Sequence, residues 1–332
     1  MIPINSETVK NWARMGQRAV YGQVLLDLAE EHPKLIAMSA DLGNSSGLDR
    51  FKKRFPSRFI NVGIAEQNLI GVASGIANEG FNVFASSFAP FITMRAAEQV
   101  RMNLGYMQQN VKIVGIGSGL GMGFLGNSHF GLEDVAIIRA IPNIAIIAPS
   151  DTTEVVKALR ALAVYNGPAY LRLTGVPGAA IVNEQDYEFE IGKSIQIELG
   201  DDICLVASGS MVAIAIQVAS LLRQKGYSVG VLNMHTIKPL DELTLQKVFE
   251  ANKLVVSMEE HSKIGGLGSA IAEFKSVQLG APPHLTIALE DEFGPTGSYE
   301  YLLNHHELSA NQICLNICKF WELNLDQMSP KI

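Results

Sequence analysis

Short apolar runs of strand length recur along the chain, and a stretch long enough for a crossover helix separates each from the next. That rhythm restricts the fold to parallel strands wound with helices. Helical periodicity from about residue 8 to 31 precedes the first run, at 34–41. Runs at 59–62, 111–116 and 144–148 continue the series, and a second series follows near 203–207, 228–232, 254–258 and 285–289. From about 176 to 192 the rhythm breaks at Pro177-Gly178 and a polar stretch. The expected architecture is therefore α/β, with two doubly wound, mostly parallel-sheet domains at 1–180 and 193–332 joined by a linker at 181–192. A length of 332 residues and an apolar content of 48 % are enough for two such cores.

Charge excludes some functions. The formal net charge is −7 and charged residues are 18 % of the chain, interspersed without basic stripes, so nucleic acid is not an expected partner. Cys204, Cys314 and Cys318 form no Cys-x-x-Cys or zinc spacing, and their odd number does not suit a disulfide framework. A reducing, cytoplasmic setting is the expectation. No apolar run reaches membrane-spanning length, and residues 1–7 lack a basic region followed by an apolar stretch.

Glu66 is out of keeping with its surroundings. It opens a helix whose following residues, Leu69, Ile70, Val72, Ala73, Ile76 and Ala77, leave almost no polar face before Asn78. A carboxylate at a helix N-terminus has an ordinary explanation in the helix dipole. An apolar helix behind it predicts burial instead, and buried ionisable groups frequently serve function. Between Gly115 and Gly131 lie seven glycines, directly after a strand run and ending in Ser128-His129-Phe130-Gly131. Loops at the C-terminal ends of strands are where open α/β sheets bind ligands. Phe84, Phe88 and Phe91 precede an amphipathic helix carrying Arg95, Glu98 and Arg101, and core packing is the ordinary reading of each.

Gly63-Ile64-Ala65-Glu66-Gln67-Asn68 resembles the glycine-x-x-glutamate signature of the transketolase family's pyrimidine-binding domain. Ser39-Ala40-Asp41-Leu42 is similar to the strand end that opens that domain, and 141–151 is similar to its closing stretch. The resemblance covers nearly the whole chain and implies a thiamine-diphosphate pyrimidine-binding fold followed by a transketolase C-terminal-like domain. It implies that Glu66 hydrogen-bonds the cofactor's aminopyrimidine and favours its imino tautomer, with Phe91 stacking on that ring, Phe88 beside it, Ile64 supporting the bent cofactor, and Asp41 among the cofactor contacts. His129 then faces the reacting carbon and contacts substrate oxygens, a task for a group titrating near neutrality, and Ser45 is the second substrate residue. Asp134 and Arg139 read as structural.

No Gly-Asp-Gly occurs in the sequence, and Gly200-Asp201-Asp202 precedes a strand where the family's motif follows one. The resemblance therefore places Mg²⁺ and diphosphate binding on a separate N-terminal subunit, implies an α₂β₂ assembly, and leaves this chain without metal ligands of its own. The Glu259-Glu260-His261-Ser262 segment and the glycines after it resemble an assembly feature of the family's C-terminal domain, and His305-His306 reads as a solvated helix end with no partner for a metal. The implied activity is transfer of a two-carbon ketol unit from a ketose to an aldose. Leu125 stands where the family has a sugar-binding aspartate and Gly117 where it has a histidine, and no phosphate-gripping arginine follows the Tyr170-Leu171-Arg172 strand unless Arg172 takes that role. The alternative is a subunit of a 2-oxo acid decarboxylating synthase or dehydrogenase, also thiamine-dependent.

Overall fold

A computed structural model describes residues 3–174, 178 and 180–324. Val176 and Pro177, at the start of the expected break, lie outside the described residues. The first half carries β1 (Leu35–Ser39), β2 (Phe59–Asn61), β3 (Asn82–Phe88), β4 (Val111–Ser118), β5 (Ala145–Ile147) and β6 (Ala169–Thr174). The second carries β7 (Ile195–Glu198), β8 (Ile203–Ala207), β9 (Val229–Asn233), β10 (Thr236–Lys238), β11 (Leu254–Ser262) and β12 (His284–Leu289). They form a seven-stranded sheet in the order β10-β5-β6-β4-β3-β1-β2 and a five-stranded sheet in the order β12-β11-β8-β9-β7. Every pairing is parallel except β10 with β5 and β7 with β9. The mostly parallel, doubly wound architecture is thus as expected.

Both sheets are covered on both faces, which accounts for the nearly continuous apolar character of their central strands. On one face of the first sheet, Trp12, Leu25 and Leu28 pack with Val155 and Leu159. The other face is covered by Leu69, Ile70 and Ala73 of the helix Glu66–Asn78, together with Ile92, Val100 and Leu104. The second sheet is enclosed likewise by Met211, Val218, Ile313 and Ile317 on one side and Leu245, Phe249, Leu267 and Ile271 on the other.

Three local features depart from the periodicity. Helix 8–31 is two helices, Ser6–Met15 and Gln17–Glu31, because Gly16 adopts φ 78°, which ends the first and starts the second at an angle. The segment 82–88 forms a strand ahead of the aromatic helix, although Ser86 and Ser87 interrupt its apolar run. Both serines are buried with partners: Ser86 Oγ lies 2.7 Å from Tyr21 Oη, and Ser87 bonds to Glu66. Finally, β10 comes from the second half of the sequence yet extends the first sheet, antiparallel to β5.

Candidate active site

Glu66 is the first residue of its helix, reached through Gly63 at φ 74°, whose N–H donates to Asn61 Oδ1 at 3.1 Å. The side chain is 2 % exposed, as the apolar helix behind it predicts. Its two oxygens have different partners. Ser87 Oγ donates to Oε1 at 3.1 Å from the end of β3, and Arg95 Nη1 donates to Oε2 at 2.9 Å. Arg95 is itself 48 % exposed, so this ion pair has one buried and one solvated member.

Phe91 begins a π-helical turn, Phe91–Arg95, followed by a second at Val100–Tyr106. Wide turns of this kind displace side chains from the regular helical positions and recur at functional sites. Here the turn brings Arg95 back over Phe91, with the guanidinium carbon 4.1 Å from the ring centroid. Phe88, Phe91 and His129 then contact one another edge to face, with centroids 5.8 Å apart for the two phenylalanines and 5.5 and 5.3 Å from each to His129. One contiguous cluster therefore runs from Glu66 through Arg95 and Phe91 to Phe88 and His129.

His129 is supplied by the glycine-rich loop, in which Gly117, Gly119 and Gly126 all have φ near 70°. Two of these glycines are required by close approach as well. A Cβ on Gly119 would stand 2.2 Å from Glu260 Oε1, and one on Gly117 would stand 2.5 Å from Met122 Sδ. Met122 thus occupies the space above Gly117. Ser128 Oγ lies 3.0 Å from His129 Nδ1, which leaves Nε2 as the nitrogen available to a ligand. Leu125 is 52 % exposed in the same turn.

The remaining expected residues are Asp41, Ser45 and Ile64. Asp41, at φ 59°, exchanges two hydrogen bonds with Asn61, at 2.9 and 3.0 Å. Ser45 is exposed in the turn after β1, and Ile64 is 79 % exposed and so lies outside the core. No hydrogen bond or ring contact among the described residues joins these three to Phe91 or His129.

Arg172 does not reach any open site. It is buried, donates to Asp134 through Nε at 2.8 Å, and caps the carbonyls of Gly131 and Glu260, each at 2.9 Å. Burial alone would raise the Asp134 pKa, but the Arg172 charge and hydrogen bonds outweigh it and hold the carboxyl below its ordinary range. Asp134 is structural, as expected, and Arg172 is structural with it. Arg139 likewise donates to Gly265 O at 2.8 Å and pairs with Glu273. Gly200-Asp201-Asp202 is equally committed, since Asp202 pairs with Lys253 at 2.8 Å and accepts from the Ser228 N–H at 2.9 Å. A Cβ on Gly200 would fall 2.2 Å from the Val229 backbone.

Two partners were not legible in the sequence. Arg95, one turn after Phe91, had no signal beyond that spacing. Glu260, buried in β11, accepts from the Leu120 N–H at 2.6 Å and from Ser210 Oγ and Tyr299 Oη, tying the glycine loop to the second half of the chain. A cavity of about 980 Å³ between the helix Thr152–Val164 and residues 186–195 shares no lining residue with the cluster. Among the described residues no helix is long and apolar enough to cross a membrane.

The pyrimidine-binding domain of transketolase matches residues 14–175, and the transketolase C-terminal domain matches residues 192–313. A Methanocaldococcus jannaschii protein bearing the name of a transketolase C-terminal section is 40 % identical over 303 residues, 91 % of this chain and 95 % of that one. The 6-deoxy-6-sulfo-D-fructose transketolase subunit SqwH of Clostridium sp. is 36 % identical over 94 % of this chain and 95 % of its own length. Among solved structures, a split-gene transketolase in the form of an inactive β4 tetramer superposes with a TM-score of 0.83 at 36 % identity, covering 92 % of this chain and 97 % of the other.

Proposed function

The chain belongs to the transketolase family, as the C-terminal section of a split enzyme, and from that premise we propose that it is the cofactor-activating subunit of a thiamine-diphosphate-dependent transketolase. The observation that carries this reading is the arrangement of Glu66, Phe91 and His129 in one cluster. The residues present suit the aminopyrimidine. A buried carboxylate and an aromatic face converge on one half-exposed side chain, Arg95, and its withdrawal would free both for a ring that hydrogen-bonds at one edge and stacks on its face.

Bound thiamine diphosphate supplies the carbon nucleophile that cleaves ketoses. Glu66 would hold the ring by one edge and supply a buried carboxyl with which a ring nitrogen could share a proton. Phe91 orients the ring and Phe88 backs Phe91. Asp41 and Ile64 would add cofactor contacts, and His129 would direct its Nε2 to the substrate's oxygens, with Ser45 as a second substrate contact. The diphosphate and Mg²⁺ belong to an N-terminal partner subunit in an α₂β₂ assembly, a reading supported by the absence of Gly-Asp-Gly and by the structural commitment of Asp202. Residues 1–180 and 193–332 serve as the pyrimidine-binding and C-terminal domains, and a cytoplasmic location agrees with the free cysteines.

The donor departs from an ordinary sugar phosphate. Met122 fills the place above Gly117, Leu125 offers no carboxylate, and Arg172 is buried in its own pair, so three polar contacts are missing. Leu125 also suits the alternative, a subunit of a 2-oxo acid decarboxylating synthase or dehydrogenase. The experiment is to combine the chain with its partner, thiamine diphosphate and Mg²⁺ and assay ketol transfer and CO₂ release separately. Transfer without CO₂, abolished in Glu66→Gln, is expected. CO₂ release from a 2-oxo acid would establish the alternative, and full activity in Glu66→Gln would overturn the role of Glu66.

A further inference from the structure

The helix Tyr299–His305 ends on two consecutive histidines, and the loop after β12 brings Glu292 to them. One ligand-type atom from each of Glu292, His305 and His306 lies within 4.8 Å of the other two. This corrects the expectation that no metal-binding partner accompanies the histidine pair, because the partner is remote in sequence and close only in the fold. His306 Nε2 is buried and has no hydrogen-bond partner among the described residues. Gly294 makes that position possible, since a Cβ there would stand 2.4 Å from Nε2.

We propose that Glu292, His305 and His306 form a binding site for a divalent transition cation of the zinc, nickel and copper class, distinct from the Mg²⁺ of the cofactor. Two imidazoles and one carboxylate favour these borderline ions over Mg²⁺ and Ca²⁺, which prefer oxygen donors throughout. The site lies at a helix C-terminus, where the dipole favours positive charge. All three residues border a cavity of about 560 Å³ that is also lined by Glu290, Glu307 and Lys319, with Glu290 paired to Lys263, so carboxylates outnumber cations there. Metal bonds of about 2.0–2.1 Å put tetrahedral donor atoms roughly 3.3 Å apart. Glu292 and His305 are exposed, so rotamer changes can close the remaining gap.

A cation held here would also act on the glycine loop. The segment carrying Glu292 is tied to the turn before His129: Asn127 Nδ2 donates to Gly294 O at 2.8 Å, the Gly297 N–H donates to Gly123 O at 3.4 Å, and Gly126 packs against Thr296. Fixing Glu292 therefore restrains residues 290–297 and, through them, residues 123–127.

The test uses the purified full chain with the partly exposed Cys318 alkylated, titrated with Ni²⁺ in excess Mg²⁺ by calorimetry, and Cu²⁺ electron paramagnetic resonance on the same samples. One saturable site per chain is expected, with hyperfine coupling to two nitrogens. His305→Ala should lose that site or leave coupling to one nitrogen, and Glu292→Gln should weaken binding, while both variants keep the wild-type melting temperature in the absence of metal. Hydrogen exchange of residues 290–297 should slow on addition of Ni²⁺. Absence of saturable binding, equal displacement by Mg²⁺, or unchanged binding in both variants would overturn the proposal. These readouts do not depend on the cofactor reading, which can fail or hold separately.

Discussion

Arg95 makes at once the two contacts that the proposed function assigns to the cofactor's ring: a hydrogen bond to Glu66 and a face-on approach to Phe91. On the proposed function, Arg95 would therefore compete with the cofactor's ring. A half-solvated ion pair of this kind is worth about 1 kcal/mol, so in the assembled enzyme Arg95→Leu should tighten thiamine-diphosphate binding about fivefold, measured by fluorescence quenching at fixed Mg²⁺. Unchanged affinity would mean that Arg95 does not occupy the ring's place. Phe91→Ala should act in the opposite direction, raising the cofactor concentration needed for half-maximal activity by roughly tenfold through loss of about 1.4 kcal/mol of stacking. The burial of Glu66 was legible because an apolar helix surrounds one carboxylate. Its partner Arg95 was not, since a π-helical turn shifts the residue out of the register that helical periodicity assumes. Gly117 was legible as a missing histidine but not as the seat of Met122, which depends on a backbone at φ 70°.

The helix Thr152–Val164 holds the segment joining the two halves by its N-terminal residues. Asp151 caps that helix by accepting from the Glu154 N–H at 2.8 Å, and its other oxygen accepts from the Val182 and Asn183 N–H groups at 2.9 and 2.8 Å. Glu154 accepts from Tyr187 Oη at 3.1 Å, and Lys157 bonds to Tyr187 O and Asp186. Burial, reinforced by the Glu154 charge, pushes the Asp151 carboxyl up to about 6 from an ordinary 3.8. Its native form thus binds a proton in a pH range where the unfolded chain has lost it, so the contribution of this group to stability falls as pH rises from about 4 to 6. The shift corresponds to roughly 3 kcal/mol across that window. Urea midpoints at pH 4.5 and 7 should therefore differ less in Asp151→Asn than in wild type, and an identical pH dependence would refute the coupling. The turn chemistry at 176–192 marked this connection in the sequence, but its clamp was illegible because Asp151 reads as an ordinary helix cap. Strands β7 and β10 escaped notice for a related reason. They are four and three residues long and antiparallel, without the apolar run that identifies the central strands.

At the scale of the whole molecule, sequence rhythm separates two domains that the structure interlocks. β10 completes the edge of the first sheet, with the Ala148 N–H donating to His235 O at 2.8 Å. Leu120, Phe130 and Leu132 of the first half are buried in the core of the second. Between the halves lies a polar network in which Arg172 joins Asp134, Gly131 and Glu260, while His261 donates from Nδ1 to Ser262 O at 2.7 Å and accepts at Nε2 from the Ala136 N–H at 3.3 Å. These contacts make independent unfolding of either half costly, because it would strip an edge strand from one sheet and expose a buried guanidinium. Calorimetry of the full chain should accordingly show one cooperative transition. Asp134→Asn, which leaves the buried Arg172 charge uncompensated, should lower stability by about 3–5 kcal/mol and do so for both halves together. Two resolved transitions in the wild type, or an effect in the variant confined to tyrosine and tryptophan signals of one half, would show that the halves are energetically separate. Because the network sits directly under the glycine loop through Gly131 and Glu260, the same variant should reduce activity with the partner subunit at temperatures where the chain is still folded, by allowing His129 to leave its contact with Phe88 and Phe91.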